Sequence, residues 1–296
     1  MTRIDFGYML QPMLQDVQAR ELFDYNRRFL RALAPGFTSL WVEDHLQWGE
    51  TAVVECLTTL SYLAAEFPDL GVGTLVFNQA FRNPALLAKM AANLQLLSGG
   101  RLVLGLGAGW KEDEYLAYGY PQPFPDARTR LEQLEEAVII IRSLWTDRPA
   151  TFTGKHYSIR DAYCEPQPSP AIPLLIGGGG EQRTLALVAR YADWWNFNSC
   201  PVEEYTHKVS VLKAHCERIG RDPAQIRLTY LGTVIMPEHA ASGPQNPQKH
   251  RITGNAAGVI EEIGRFSEVG VTQFMLRMPD IKTAERFVAE VVPHFA

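Results

Sequence analysis

The sequence predicts an α/β protein, a single (β/α)8 barrel spanning residues 1–296, on three observations. Eight short apolar runs alternate with eight runs of helical period along the 296 residues, the pattern of successive parallel βαβ units. Crossovers between parallel strands wind with one hand, and a count of eight points to closure into a barrel. The first strand–helix turn carries no GxGxxG, which weakens the doubly wound dinucleotide fold, the chief alternative. "GLGAGW" reads GxGxGW, follows the fourth strand and lacks the third glycine at the right step.

Each element follows from its own pattern. "IDFGYML" (4–10) is the first strand, and the next segment places Val17, Leu22, Phe23, Leu30 and Leu33 at helical spacing. "TSLWV" (38–42) is the second strand, with a helix over 51–66, and "LGVGTLVF" (70–77) is the third. Pro84 suits the first turn of "PALLAKMAANLQLL", which "SGG" ends. "RLVLGLGAG" (101–109) is the fourth strand, and a long helix over 127–145 turns Leu131, Leu134, Val138, Ile141 and Leu144 to the core. "PLLI" (173–176) and "WWNF" are strands five and six, followed by helices over 183–191 and 202–219. "IRLTYLGTVIM" (226–236) and "TQFMLRM" (272–278) complete the set, with helices over 256–269 and 281–292.

Two segments break the alternation. Residues 146–170 read as a small hairpin with a proline-rich return. It lies in a helix-to-strand connection, on the face away from the chemistry of a barrel, where packing or a subunit contact is expected. Residues 237–254 are polar, rich in Pro and Gly, and follow the seventh strand. A mobile loop over the site and a plain disordered loop are both open for them.

Composition narrows the partners. Hydrophobic residues make up 46%, enough for a large core, and the net charge of −5 comes without a block of Lys or Arg, so nucleic acid and anionic membrane are poor partners. No run reaches the roughly 18 apolar residues of a membrane span. Asp5 interrupts the N-terminal segment where a signal peptide needs an apolar run, so a cytoplasmic protein is expected. The four cysteines form no CxxC pair, and reduced thiols are expected.

Barrel chemistry sits at the C-terminal ends of strands. That rule selects Asp44, His45 and Trp48 after strand two, Asn78 and Gln79 after strand three, Gly107 to Glu114 after strand four, Gly177 to Gly180 after strand five, and Asn196 and Asn198 after strand six. His45 is the one histidine at such a position, and no metal site is expected from one imidazole. An Asp–His pair suits proton handling or hydrogen bonding to a cofactor or substrate oxygen, and the alternative is a cap on the next helix. Four glycines before a helix free backbone N–H groups for an anion, helped by the helix N-terminus and by Arg183. A tight turn needs one or two glycines and hardly four. Gly105, Gly107 and Gly109 clear space for something flat, and Trp110, Trp194 and Trp195 either wall that space or fill core. A flat, phosphate-bearing ligand over one histidine describes a flavin-like cofactor.

"GFTSLWVEDHL", "VGTLVFNQAFRNPALLAKMAANLQLLSGGRLVLGLGAGWKEDEYLAYG", "RTRLEQLEEAVIIIRSLW" and "PLLIGGGGEQRTLALVARYADWWNF" together resemble the luciferase-like monooxygenase superfamily, and within it the branch that uses the deazaflavin coenzyme F420. The resemblance runs from near residue 3 to about residue 280. It implies a cofactor at the C-terminal face with Asp44 and His45 beside the ring and His45 in proton transfer. It implies a non-proline cis peptide in strand three, at Thr74–Leu75 or one residue earlier, backing the ring. It implies Gly178, Gly179, Gly180 and Glu181 at the cofactor phosphate, Gly107, Ala108 and Gly109 along the ring, and Asp113 toward the cofactor's side chain. Trp48, Trp110 and Asn196 are expected to line the substrate pocket. Sugar-phosphate dehydrogenases of this branch carry a glutamate where Trp110 stands, so a sugar phosphate is disfavoured and the acid is unassigned, with Glu112, Asp113 and Glu114 nearby. A homodimer is expected by the same resemblance.

The function expected is hydride transfer between F420 and a small alcohol, carbonyl or activated double bond, with His45 moving the proton and Asp44 steering it. The first alternative keeps the fold and uses reduced FMN with molecular oxygen as a monooxygenase. The second is a phosphosugar isomerase or aldolase, for which Lys111 is the one nearby lysine.

Overall fold

The computed structural model describes residues 3–11, 19–237 and 250–295. In chain order the elements are β1 (Asp5–Met9), α1 (Ala19–Leu33), β2 (Ser39–Val42), α2 (Cys56–Glu66), β3 (Gly71–Thr74), β4 (Phe77–Asn78), α3 (Pro84–Leu97) and β5 (Leu102–Gly107). There follow α4 (Glu112–Ala117), α5 (Ala127–Thr146), β6 (Ala150–Thr153), β7 (Ser158–Ala162), β8 (Leu174–Gly177), α6 (Thr184–Tyr191), β9 (Trp194–Asn198) and α7 (Val202–Arg218). The last are β10 (Arg227–Ile235), β11 (Ile252–Thr253), α8 (Ala256–Val269), β12 (Val271–Arg277) and α9 (Ile281–Glu290).

The chain divides into two compact units, Met1–Trp41 with Gly178–Ala296, and Val42–Gly177. In the first, β1 lies between β12 and β2, with Gly7 opposite Met275 and Ser39. There β10 lies between β12 and β9, with Tyr230 opposite Phe274 and Phe197. In the second, β5 lies between β3 and β8, with Val72 opposite Leu102 and Leu104 opposite Leu174, and β4 continues along β5 through Phe77 and Leu106. All these pairings are parallel, and helices connect the strands, as the alternation predicts. The strands are buried and apolar nearly throughout, as parallel strands covered by helices require.

Side-chain caps explain where helices start. Glu55 accepts from the Leu57 and Thr58 amides to open α2, Asn83 from Ala85 and Leu86 ahead of Pro84 in α3, and Asp126 from Thr129 in α5. The helix expected from residue 51 therefore begins at Cys56, and Asp44 and His45 are not its cap. The third strand is split: β3 ends at Thr74, β4 starts at Phe77, and the Leu75–Val76 peptide between them is cis. The cis bond thus sits one residue beyond the expected Thr74–Leu75 position. The single-turn helix α4 occupies what reads as loop, its acidic first turn matching the positive helix end while Glu114 and Tyr115 are buried.

The hairpin expected within 146–170 is β6 and β7, and it packs inside the second unit. Glu136 of α5 accepts from the amides of Lys155, His156 and Tyr157 at 2.8, 2.9 and 2.8 Å. The Tyr157 hydroxyl donates to Gln79 Oε1 at 2.8 Å, just past β4. Its turn therefore reaches the strand C-terminal ends, contrary to its expected place on the opposite face. Most of the polar loop expected over 237–254 lies outside the described residues. The part described includes β11, which pairs with β10 through Val234 and Ile252.

Candidate active site

In the second unit Asp44 is buried, 4% exposed, and both its oxygens are occupied. Arg82 Nη1 donates to Oδ2 at 2.7 Å and Nη2 to Oδ1 at 3.0 Å, and the Asn78 amide donates to Oδ2 at 3.0 Å. Burial raises the Asp44 carboxyl, against the lowering pull of Arg82 and the Asn78 amide. The Arg82 guanidinium is itself raised, because Asp44 and Glu55 outweigh the burial that lowers it. A two-pronged, charge-assisted pair of this geometry holds Asp44 as the carboxylate. Arg82 also bonds Glu55 and lies 4.6 Å above the Phe77 ring. Asp44 therefore ties three segments together, and it does not steer His45 as expected.

The carboxylate at His45 is that of Glu114. Nδ1 of His45 lies 3.0 Å from Glu114 Oε1 and 3.3 Å from Oε2, while the Leu46 amide donates to Oε2 at 2.9 Å. Glu114 is 1% exposed, on α4. Among the described residues none bonds Nε2. Trp48 stands edge-to-face to the imidazole at 5.2 Å and Trp110 at 6.0 Å, with 6.2 Å between the two indoles. Both tryptophans expose their rings, 39% and 65%, as pocket walls rather than core filling do. Lys111 pairs with Asp113 and lies 5.0 Å from the Trp48 ring centroid, so the Asp113 carboxylate is engaged by Lys111, which lowers its pKa. Arg82 escapes a reading by strand ends, because the approach to α3 delivers it, whereas Glu114 lies within the segment that rule selects after the fourth strand.

The glycines of β5 answer to the split strand. A side chain at Gly105 would collide with the Thr74 carbonyl, one at Gly107 with Val76 at 2.6 Å, and one at Gly109 (φ +75°) with the Asn78 side chain. The space they clear is thus filled by residues 74–78 rather than left for a flat ligand. Thr74 Oγ1 accepts from the Gly105 amide and donates to its carbonyl, both at 2.9 Å, and the Leu75 amide donates to Val42 O at 2.8 Å. Ala108 and Gly109 are half-buried.

In the first unit the glycine run also has local causes. Gly178 has φ +120°, a side chain at Gly179 would strike the Phe197 ring, and one at Gly180 would lie 2.8 Å from Thr184 Oγ1. Only one of these three needs the left-handed region, so a tight turn alone does not account for them. The Gly178 amide donates to Asn196 O at 3.0 Å and its carbonyl accepts from Trp195 Nε1 at 2.8 Å. Among the described residues the Gly179 and Gly180 amides have no hydrogen-bond partner, and α6 starts at Thr184. Glu181 turns its carboxylate to His207 (3.0 Å) and Lys208 (2.7 Å), and His215 Nε2 donates to its carbonyl at 2.6 Å. Its side chain is committed to α7, against the expectation of a cofactor contact. Asn196 is 4% exposed and donates to Thr229 Oγ1 at 2.9 Å, so it is an interior residue of β9 and not part of a substrate pocket. Trp195 is fully buried core.

Among the described residues no three His, Cys, Asp or Glu side chains cluster in a way that could hold a metal ion, and no helix is long and apolar enough to cross a membrane. What the residues do offer is a carboxylate-bound imidazole between two indoles in one unit, and a pair of bare amides ahead of a helix in the other.

Known proteins share this arrangement of elements. A solved F420-dependent secondary alcohol dehydrogenase in complex with an F420–acetone adduct superposes with a TM-score of 0.84 at 20% identity, covering 99% of both chains, a likeness that shows the (β/α)8 barrel fold. An F420-dependent glucose-6-phosphate dehydrogenase of Intrasporangium calvum is 35% identical over 177 residues, 58% of this chain and 51% of that protein. An F420-dependent hydroxymycolic acid dehydrogenase of Mycobacterium tuberculosis is 29% identical over 217 residues, 71% of this chain and 59% of that protein. The chain spans about half the length of the curated relatives it matches. A family model, that of the luciferase-like monooxygenases, matches residues 4–246. With the strand order, the split third strand and the family match in agreement, the chain belongs to the luciferase-like monooxygenase family.

Proposed function

We propose that the chain is an F420-dependent oxidoreductase, moving a hydride between the deazaflavin and a hydroxyl- or carbonyl-bearing carbon of a small organic substrate. His45 carries the reading: one nitrogen is taken by Glu114, the other has no partner among the described residues, and two exposed indoles flank the ring. A ring so held takes up or gives a proton at Nε2. Relatives that are F420-dependent dehydrogenases of glucose-6-phosphate and of hydroxymycolic acid, and a structural neighbour with an F420–acetone adduct, support the choice of cofactor.

The residues fit that cofactor. A phosphate needs donors that are not already used, and the Gly179 and Gly180 amides ahead of α6 supply them, with the helix end favouring the negative charge. When bound, F420 supplies a ring carbon that accepts or releases a hydride. His45 moves the accompanying proton, and Trp48 and Trp110 exclude water and set the width of the pocket. The same proposal takes the protein as a homodimer, as the resemblance implies, with its four cysteines as reduced thiols of a cytoplasmic protein.

The test is anaerobic incubation of the purified protein with F420 and a panel of small alcohols, following loss of the oxidised cofactor's absorbance. Wild type is expected to reduce it. His45→Ala is expected to bind F420 equally and to turn over roughly 10²–10⁴-fold more slowly. Full activity in His45→Ala would remove His45 from the mechanism.

A further inference from the structure

We propose that Glu114 is the positioning residue of the proton transfer, holding His45 in its Nδ1–H form so that bare Nε2 acts as the base toward a substrate hydroxyl. The proposal rests on the oxidoreductase reading for its consequence in catalysis, but its structural half stands apart from any cofactor.

With Glu114 as the carboxylate, the geometry leaves one arrangement of protons. An ionised carboxylate can only accept hydrogen bonds. Glu114 takes one from the Leu46 amide, which can only donate, and its other short contact is His45 Nδ1 at 3.0 Å. That nitrogen must therefore carry a hydrogen, and in the neutral ring the lone pair is on Nε2. Imidazole side chains in water favour the opposite, Nε2–H form, so the protein selects the minority tautomer. The selection is firm for three reasons. Glu114 is buried on a helix, with a side chain 2% exposed. The loop that carries His45 is fixed on both sides of Leu46, whose amide is held by Glu114 and whose carbonyl accepts from the Tyr118 hydroxyl at 2.9 Å. Asp44, the adjacent carboxylate, is engaged by Arg82 and the Asn78 amide and makes no hydrogen bond to the ring. A third group that orients the base is the general logic of acid–base sites.

The tautomer sets a direction for the proton. As a hydroxyl substrate is oxidised, its O–H bond breaks and the proton goes to Nε2. The O–H electron pair stays on oxygen and forms the second bond of the product carbonyl. The two electrons of the neighbouring C–H bond would leave as a hydride, for which F420, when bound, would be the acceptor. The imidazolium that results bears hydrogen on both nitrogens and faces the Glu114 carboxylate, which stabilises it. His45 then returns the proton to water. Glu114 itself neither gains nor loses a proton.

Nitrogen-15 NMR of the histidine rings in the cofactor-free protein, at a pH where the ring is neutral, tests the structural half, with His45→Ala identifying the signal. Wild type is expected to show a protonated Nδ1 and a bare Nε2. Glu114→Ala is expected to return the ring to Nε2–H and to lower kcat with F420 and a secondary alcohol roughly 100-fold, leaving the KM for F420 unchanged. Glu114→Gln offers one acceptor oxygen to the two donors the carboxylate holds, the Leu46 amide and His45 Nδ1–H, and is expected to populate the Nδ1–H form less than wild type and to lose part of kcat. If Glu114→Ala does not fold, wild type and Glu114→Gln decide the matter. An Nε2–H ring in wild type overturns the proposal, as does a Glu114→Ala protein unchanged in both tautomer and kcat. Absence of F420 turnover in wild type, with the Nδ1–H signature present, would instead overturn the oxidoreductase reading and leave Glu114 as the group that holds the ring.

Discussion

At the level of single residues, Asp44 and His45 are neighbours in sequence with different partners. Successive residues of an extended chain send their side chains to opposite sides, so an adjacent carboxylate is badly placed to orient a histidine. Asp44 goes to Arg82 and Asn78, and His45 to Glu114. That pairing defines the cost of disturbing it. Arg82→Ala leaves a carboxylate buried without its cation, and is expected to lose about 3–5 kcal/mol in urea unfolding. A loss below about 1 kcal/mol would mean that Asp44 does not depend on Arg82. Position at a strand end was enough to pick out Asp44, His45 and Trp48 in the sequence. The pairings were not legible: Glu114 stood among the strand-four candidates without an assigned partner, and Arg82 reaches the site from a segment whose approach only the tertiary fold decides.

At the level of elements, the strand and helix pattern was read within a few residues of the observed bounds wherever apolar periodicity was long. It failed where another force set the geometry. The third strand is interrupted by the Leu75–Val76 peptide, and the glycines of β5 follow from that interruption, since Val76 and Asn78 occupy the room where their side chains would be. Read from sequence alone, the same glycines suggested space for a ligand. The run at Gly178 to Gly180 has a similar double life: packing requires glycine, while the Gly179 and Gly180 amides remain available. Gly179→Ala drives a methyl group into Phe197 and is expected to cost about 1–3 kcal/mol of stability and to weaken F420 binding measured by titration. Unchanged stability would mean that the loop relaxes freely. The hairpin shows the opposite case, an element read correctly whose anchor was invisible. Partial burial raises the Glu136 carboxyl, but the three amides of the hairpin turn outweigh it, and its pKa is lowered. Folded below unfolded means that this anchor is present above the ordinary glutamate value of 4.5 and is lost as pH falls through the depressed value. Hydrogen-exchange protection of the Lys155, His156 and Tyr157 amides is therefore expected to decline below about pH 4.5, the ordinary glutamate value, and to be weak at every pH in Glu136→Ala. Protection independent of pH in wild type would exclude the carboxylate as the anchor.

At the level of the whole molecule, the alternation of eight strand signals with helices was the most legible feature, because each βαβ repeat imposes the same pattern again. The acidic net charge of −5, without a basic block, argues against nucleic acid and anionic membrane as partners. Cofactor choice lies beyond periodicity, since both natural tricycles offer a flat ring and a phosphate. The most direct measurement is a parallel titration of the purified protein with F420 and with FMN, following quenching of the protein's tryptophan fluorescence. Saturable quenching by F420, with none by FMN over the same concentrations, is the predicted result; saturation by FMN with no response to F420 would contradict the account.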